Sequence, residues 1–150
     1  MPQSLAKILI HLIFSTKGRR AVLPYDPFPE LHAYARGILV DQKCHLIEMN
    51  NVCDHVHILF DMHRTTSLAD VVMHVKKGTS RWLKTQSADY AHFDWQEGYG
   101  AFSLGPSQRP DAIAYLKDQQ NHHRQMAFQS EFLRFLSAYE VEHDERYVWD

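Results

Sequence analysis

Seven consecutive residues, Asp54-His55-Val56-His57-Ile58-Leu59-Phe60, alternate in a way that suits little but a buried strand. Val56, Ile58 and Phe60 fall on one face, and His55, His57 and Leu59 fall on the other. Residues i and i+2 of a strand share a face with their backbones ~7 Å apart. Two imidazoles so placed can tilt toward one ion, with bonds of ~2.0–2.1 Å if that ion is zinc. A His-x-His pair also arises by chance in a chain with 11 histidines, so the pair needs partners from elsewhere in the sequence.

The surrounding pattern supplies a sheet for that strand. Residues 7–14 predict a first strand, apolar nearly throughout and therefore central. Residues 15–20 leave it as a polar basic loop. Pro24, Pro27 and Pro29 mark an irregular lead-in, and Pro29 suits the first turn of a helix running to about Val40. Residues 44–52 predict a second strand antiparallel to the histidine strand, with Asn50-Asn51 as a bend or bulge between them. Ser67 and Asp70 resemble a capping box, and the helix that follows carries Leu68, Val71, Val72, Val75, Thr79 and Trp82 on one face.

Residues 93–104 are aromatic and glycine-rich and end in a short strand; their rings suit either core packing or the stacking of unpaired bases. Ser107, as a cap, and Pro110 open a further helix. Ile113 and Leu116 face inward there, while Tyr115, Gln119 and His122 share a more polar face. His122 and His123 read as surface or packing groups. A last helix spans roughly 129–138, with Phe132, Leu133, Phe135 and Leu136 as its apolar side. This order predicts an α+β, ferredoxin-like (βαββαβ) antiparallel sheet with helices on one face, plus C-terminal helices that carry Tyr115.

Composition narrows the class. A chain of 150 residues, 45% hydrophobic, fits one domain over 1–150. It has no charged start leading into an apolar block and no apolar run near the ~20 residues of a membrane span, so the expectation is a cytoplasmic protein. Cys44 and Cys53 flank a strand and suit reduced thiols. A net charge of −2 counts mildly against nucleic-acid binding, yet the charge is uneven. Lys17, Arg19 and Arg20 cluster early, and Lys76, Lys77, Arg81 and Lys84 cluster mid-chain, either as solvated faces or as phosphate contacts.

If the late helices dock on the histidine face, Tyr115 and Gln119 lie one turn apart opposite His55 and His57. The Gln119 carbonyl then becomes a third metal ligand, and the Tyr115 phenol becomes a nucleophile for a phosphate. Spacing alone favours an amphipathic tyrosine and a solvated glutamine.

Five blocks carry a resemblance that runs nearly end to end: His11-Leu12-Ile13-Phe14-Ser15-Thr16-Lys17, Asp54-His55-Val56-His57-Ile58-Leu59, Trp95-Gln96-Glu97-Gly98-Tyr99-Gly100-Ala101-Phe102, Tyr115-Leu116-Lys117-Asp118-Gln119-Gln120-Asn121-His122-His123 and Asp144-Glu145-Arg146-Tyr147-Val148-Trp149. With these, the chain resembles the small single-tyrosine HUH transposases of simple bacterial insertion sequences and their domesticated relatives. The resemblance implies cleavage and rejoining of single-stranded DNA through a covalent 5'-phosphotyrosine, with Tyr115 as nucleophile. It implies Mg²⁺ or Mn²⁺ held by His55, His57 and Gln119, and hairpin-ended DNA as partner. It also implies a homodimer whose active sites can be completed in trans. Relatives often read Asn-Gln where this chain has Asp118-Gln119, which puts a negative charge beside the expected ligand. Lys17, Arg19, Arg20, Lys76, Lys77 and Arg81 are the candidate DNA contacts. The competing readings are a relative that processes chromosomal palindromic repeats, a non-catalytic single-strand-binding domain and a metal-dependent hydrolase.

Overall fold

The alternation seen in the sequence becomes a two-sided sheet. In the computed structural model, which describes residues 2–150, β1 (Leu9–Ser15), β2 (His45–Asn51), β3 (His55–Asp61) and β4 (Gly100–Leu104) pair antiparallel. Their spatial order is β2-β3-β1-β4. With α1 (Pro29–Asp41) after β1 and α2 (Leu68–Gln86) after β3, this is the ferredoxin-like arrangement. Three further helices follow: α3 (Arg109–Lys117), α4 (Gln119–Gln125) and α5 (Phe128–Ala138).

Ile10, Leu12 and Phe14 of β1 and Val56, Ile58 and Phe60 of β3 pack under α1 and α2 with Leu31, Leu39, Val71, Val75 and Leu83. On the opposite face Ile13 and Phe102 meet Phe128, Phe132 and Leu136 of α5. Both faces of the central strands are thus covered, which is why β1 reads as an almost unbroken apolar run. His11, His55 and His57 point to the α5 side, where they are buried.

Two glycines set how closely the helices approach. A Cβ at Gly100 would lie 2.3 Å from a ring carbon of Phe132, so α5 seats directly on the bare backbone of β4. A Cβ at Gly78 would lie 2.5 Å from Ile38, and α1 and α2 touch there.

Several local expectations shift. Asn50 and Asn51 lie within β2, and the register irregularity falls between Leu46 and Glu48 instead. The Asn51 side chain accepts from the Phe28 N–H and donates to the Pro24 carbonyl, so it ties the proline lead-in to the sheet. Trp82 packs against the core but stays partly buried, its indole stacked on Tyr34 at 5.4 Å, and Leu83 beside it is fully buried. The Ser67 hydroxyl caps α2 by accepting the Asp70 N–H at 3.1 Å. Ser107 caps nothing and sits in a 3-10 turn before α3. Cys44 and Cys53 are free thiols. No helix among the described residues is long and apolar enough to cross a membrane.

Candidate active site

The helix expected to run unbroken past Tyr115 is interrupted at Asp118, where φ is −97° and ψ is 14°. The interruption is held from β2. Asn50 donates to the Leu116 carbonyl at 2.7 Å, and Gln120 donates to the Asn50 side chain at 3.0 Å and the Asn51 carbonyl at 2.8 Å. Tyr25 adds a hydroxyl hydrogen bond to the Gln120 carbonyl. This polar clamp seats Tyr115, Gln119 and His123 beside the histidine strand. The Asp118 carboxylate turns away from it, accepting from Asn121 at 2.7 Å and standing 3.7 Å from His122.

Glu131, on the buried face of α5, is the centre of the cluster. Its Oε1 lies 2.9 Å from His57 Nε2, 3.2 Å from His123 Nε2 and 3.4 Å from His55 Nε2. Its Oε2 accepts the Tyr115 hydroxyl and, at 3.3 Å, the Gln119 amide. The Gln119 oxygen lies 2.8 Å from His123 Nε2. Each strand histidine is oriented from behind. Asp54 Oδ1 lies 2.7 Å from His55 Nδ1, and His11 Nε2 shares a 2.8 Å hydrogen bond with His57 Nδ1. These contacts leave Nε2 of both rings facing Glu131.

Burial and charge compete in this cluster. Burial acts to raise the Glu131 carboxyl, but His57 and hydrogen bonds from His123, His55 and His57 outweigh it and hold the group well below the usual carboxylate range. Burial pushes His57 toward its neutral form, so hydrogen bonding, more than a full imidazolium charge, keeps Glu131 ionised. Burial also acts to lower His55, but the hydrogen bond of Asp54 and the nearby Glu131 carboxylate outweigh it and its pKa rises. Burial and then the Glu131 charge raise the Tyr115 phenol above its ordinary value, so it remains a neutral donor.

The donors suit a divalent ion. The ring nitrogens of His55, His57 and His123 and a carboxylate oxygen of Glu131 all lie within 4.8 Å of one another. His55 Nε2 is fully buried without a hydrogen-bond partner, a cost that a bound cation would remove. Tyr115 is the edge of this group open to solvent. It lines a cavity of about 340 Å³ with His122, Met126, Arg134 and Tyr139, and its ring stacks on His122 at 4.6 Å.

The structure therefore brings together Tyr115, His55, His57 and Gln119 within one chain, and it adds His123, Glu131, His11, Asp54 and Arg134. The expectation that His123 is a surface or packing group gives way, since its side chain is only 6% exposed and faces Glu131. Glu131 did leave a trace in the sequence. It shares the apolar stripe of α5 with Phe128, Phe132 and Leu136, where a carboxylate needs a partner.

The candidate DNA contacts separate into two groups. Lys17, Arg19 and Arg20 line a cavity of about 930 Å³ with Arg146, and Arg19 lies 5.4 Å over the Trp149 ring. Lys77 and Arg81 line a neighbouring cavity of about 580 Å³ that shares Asp94, Gln96 and Glu97 with the first. Lys76 lines the same cavity, its ammonium donating to the carbonyls of Gln96, Glu97 and Gly98 at 2.6–3.1 Å. Burial lowers its pKa to about 8. The rings of Phe93, Trp95 and Phe102 are core, and Tyr99 is exposed.

One comparison with known proteins identifies a family. Residues 4–119 match the family model described as "Transposase IS200 like". A search of curated proteins gave no match. Among solved structures, one from Deinococcus radiodurans R1, described as a candidate transposase, is similar at a TM-score of 0.60 and 21% identity, covering 79% of this chain and 98% of that one. A REP-associated tyrosine transposase bound to a REP hairpin is also similar, at a TM-score of 0.60 and 11% identity, covering 96% of this chain and 91% of that one. At these identities the likeness to the two structures is one of fold.

Proposed function

The chain belongs to the IS200-like transposase family, and from that premise we propose that it cleaves and rejoins single-stranded DNA through a covalent bond to Tyr115. The observation that carries this reading is the hydroxyl of Tyr115 hydrogen-bonded to Glu131 at the open edge of a histidine cluster. In the proposed step the phenol oxygen forms a bond to phosphorus, the bond from phosphorus to the 3' oxygen breaks, and that oxygen leaves as a hydroxyl. The product is a 5'-phosphotyrosine, and reversal by another 3' hydroxyl rejoins the strand with the bond energy conserved.

The residues divide the work by position. Glu131 Oε2 orients the phenol by accepting its hydrogen bond, and the proton that the phenol gives up is matched by the one that the departing 3' oxygen takes. His122 holds the Tyr115 ring by stacking, and Arg134 lines the same cavity, where its guanidinium suits a phosphate. His55 and His57 would hold a divalent ion, whose positive charge when bound would offset negative charge developing beside the Tyr115 hydroxyl. The basic loop of Lys17, Arg19 and Arg20 leaves β1 next to Asp54, since the Thr16 N–H donates to the Asp54 carbonyl at 2.8 Å. It would guide the strand toward the site. Hairpin-ended DNA is the proposed partner, in keeping with the similar fold that binds a REP hairpin. A dimer that exchanges tyrosine helices is equally compatible with the proposal.

The test incubates the protein with labelled single-stranded element ends and a divalent ion, then looks for an adduct that survives denaturant. The adduct is expected with the wild type and absent with Tyr115→Phe. An adduct that persists in Tyr115→Phe refutes the assignment. Cleavage with no adduct in the wild type points to a hydrolase, and binding without cleavage points to a non-catalytic domain.

A further inference from the structure

The family match ends at Gln119, and two of the residues that converge on the strand histidines lie beyond it. His123 is on α4 and Glu131 is on α5, and neither belongs to the histidine-hydrophobe-histidine-plus-glutamine pattern. Four donors in a tetrahedron around an ion 2.0–2.1 Å away stand ~3.3 Å from one another. Glu131 Oε1 stands 2.9, 3.2 and 3.4 Å from the three Nε2 atoms, close to that spacing.

We propose that His55, His57, His123 and Glu131 form a four-donor cage for a borderline transition ion such as Zn²⁺ or Co²⁺, to the exclusion of Mg²⁺, with Gln119 as a positioning residue. This deepens the strand-transfer reading by naming the ion class of the same site. Three lines of chemistry support it. Imidazole nitrogens favour such ions, whereas Mg²⁺ takes oxygen donors in octahedral geometry and keeps several waters. Here three of the four donors are nitrogen, and His55, His57 and Glu131 are walled in with no more than 3% of each side chain exposed, which leaves little space for those waters. His55 Nε2 is orphaned among them. Finally, Asp54 and His11 hydrogen-bond the Nδ1 atoms of the two strand histidines, the usual support behind a ligating imidazole. Gln119 donates to Glu131 Oε2 and so steadies the carboxylate from the side away from the ion. Through its two oxygens Glu131 then joins the ion to the Tyr115 hydroxyl.

The experiment titrates the metal-free full-length chain with Co²⁺, following its visible absorption, and with Zn²⁺ by calorimetry. One ion per chain with the absorption of four-coordinate Co²⁺ is expected, and a large excess of Mg²⁺ should fail to displace it. His123→Ala and Glu131→Gln should each weaken binding by more than the ~10–100-fold that losing a supporting hydrogen bond costs, and Gln119→Ala by no more than that. Tyr115→Phe should bind as the wild type does. Displacement by Mg²⁺ at comparable concentration overturns the proposal without recourse to any variant. So does unchanged Co²⁺ binding in His123→Ala and Glu131→Gln. The two proposals fail separately. A DNA adduct formed with Mg²⁺ by His123→Ala removes the cage and keeps strand transfer. Tight Co²⁺ binding with no adduct under any metal keeps the cage and removes strand transfer.

Discussion

Replacing Gly100 by alanine tests how α5 is seated and therefore how Glu131 reaches the histidines. The added Cβ would lie 2.3 Å from Phe132 Cε2 and 2.8 Å from Cζ. Carbon atoms in good contact stand ~3.5–4.0 Å apart, so the ring must withdraw by more than ~1 Å. Glu131 precedes Phe132 on the same helix, and its distances of 2.9–3.4 Å to the three imidazoles would stretch beyond hydrogen bonding. Without the clash, the change should stabilise the chain by ~0.4–1 kcal/mol, because alanine restricts the unfolded state. Overpacking costs ~1–3 kcal/mol, so the net expectation is a loss of about 1–2 kcal/mol. For a chain of this size that lowers Tm by roughly 2–8 °C in calorimetry. Gly37 is the control: a Cβ there meets nothing within 4 Å on α1, and Gly37→Ala should raise Tm. Adding Phe132→Leu to Gly100→Ala should recover part of the loss by vacating the space. A Gly100→Ala protein that melts at or above the wild type would refute the reasoning.

Two further expectations concern the groups behind the strand histidines. Asp54→Ala should free the His55 tautomer and weaken Co²⁺ binding ~10–100-fold by calorimetry, with far-ultraviolet circular dichroism unchanged; unaltered binding would show that Asp54 does not orient the ring. His11 supplies a pH dependence, because burial, then the His57 charge, lowers its pKa from 6.5 to about 3. Between those values the unfolded chain binds the proton and the folded chain does not, so stability is intact above pH 6.5 and drains away as the pH falls toward 3. The loss amounts to at most about 4–5 kcal/mol. Urea unfolding of the metal-free protein across that window should show a flatter dependence in His11→Gln, and an unchanged slope would place the acid sensitivity elsewhere.

The sheet was legible because period-two alternation in β1 and β3 leaves no other way to bury both faces, and Pro29 marked the start of α1. The pairing of Tyr115 with His55 and His57 was legible from spacing and family likeness together. The break at Asp118 was not. It depends on Asn50 and Gln120, 70 positions apart, meeting across the fold, and no local propensity records that. His123 was misread for the same reason, since a helix drawn straight through residue 118 sends its ring elsewhere. Leu83 went unread because it lies ~100° around the axis from Trp82, and both side chains reach the core.

The donors around Glu131 come from positions 55 and 57 of the sheet and 123 and 131 of the tail, parts of the chain that have little sequence in common to hold them together. An ion gripped there would work as a clasp, closing a ring of polypeptide from β3 round to α5. Its free energy of binding would then be spent on keeping the tail of the molecule in place. Chelation should then loosen α4 and α5 as a unit while the β-sheet and its two long helices persist. Ordering of the tail and readiness of the nucleophile become one event.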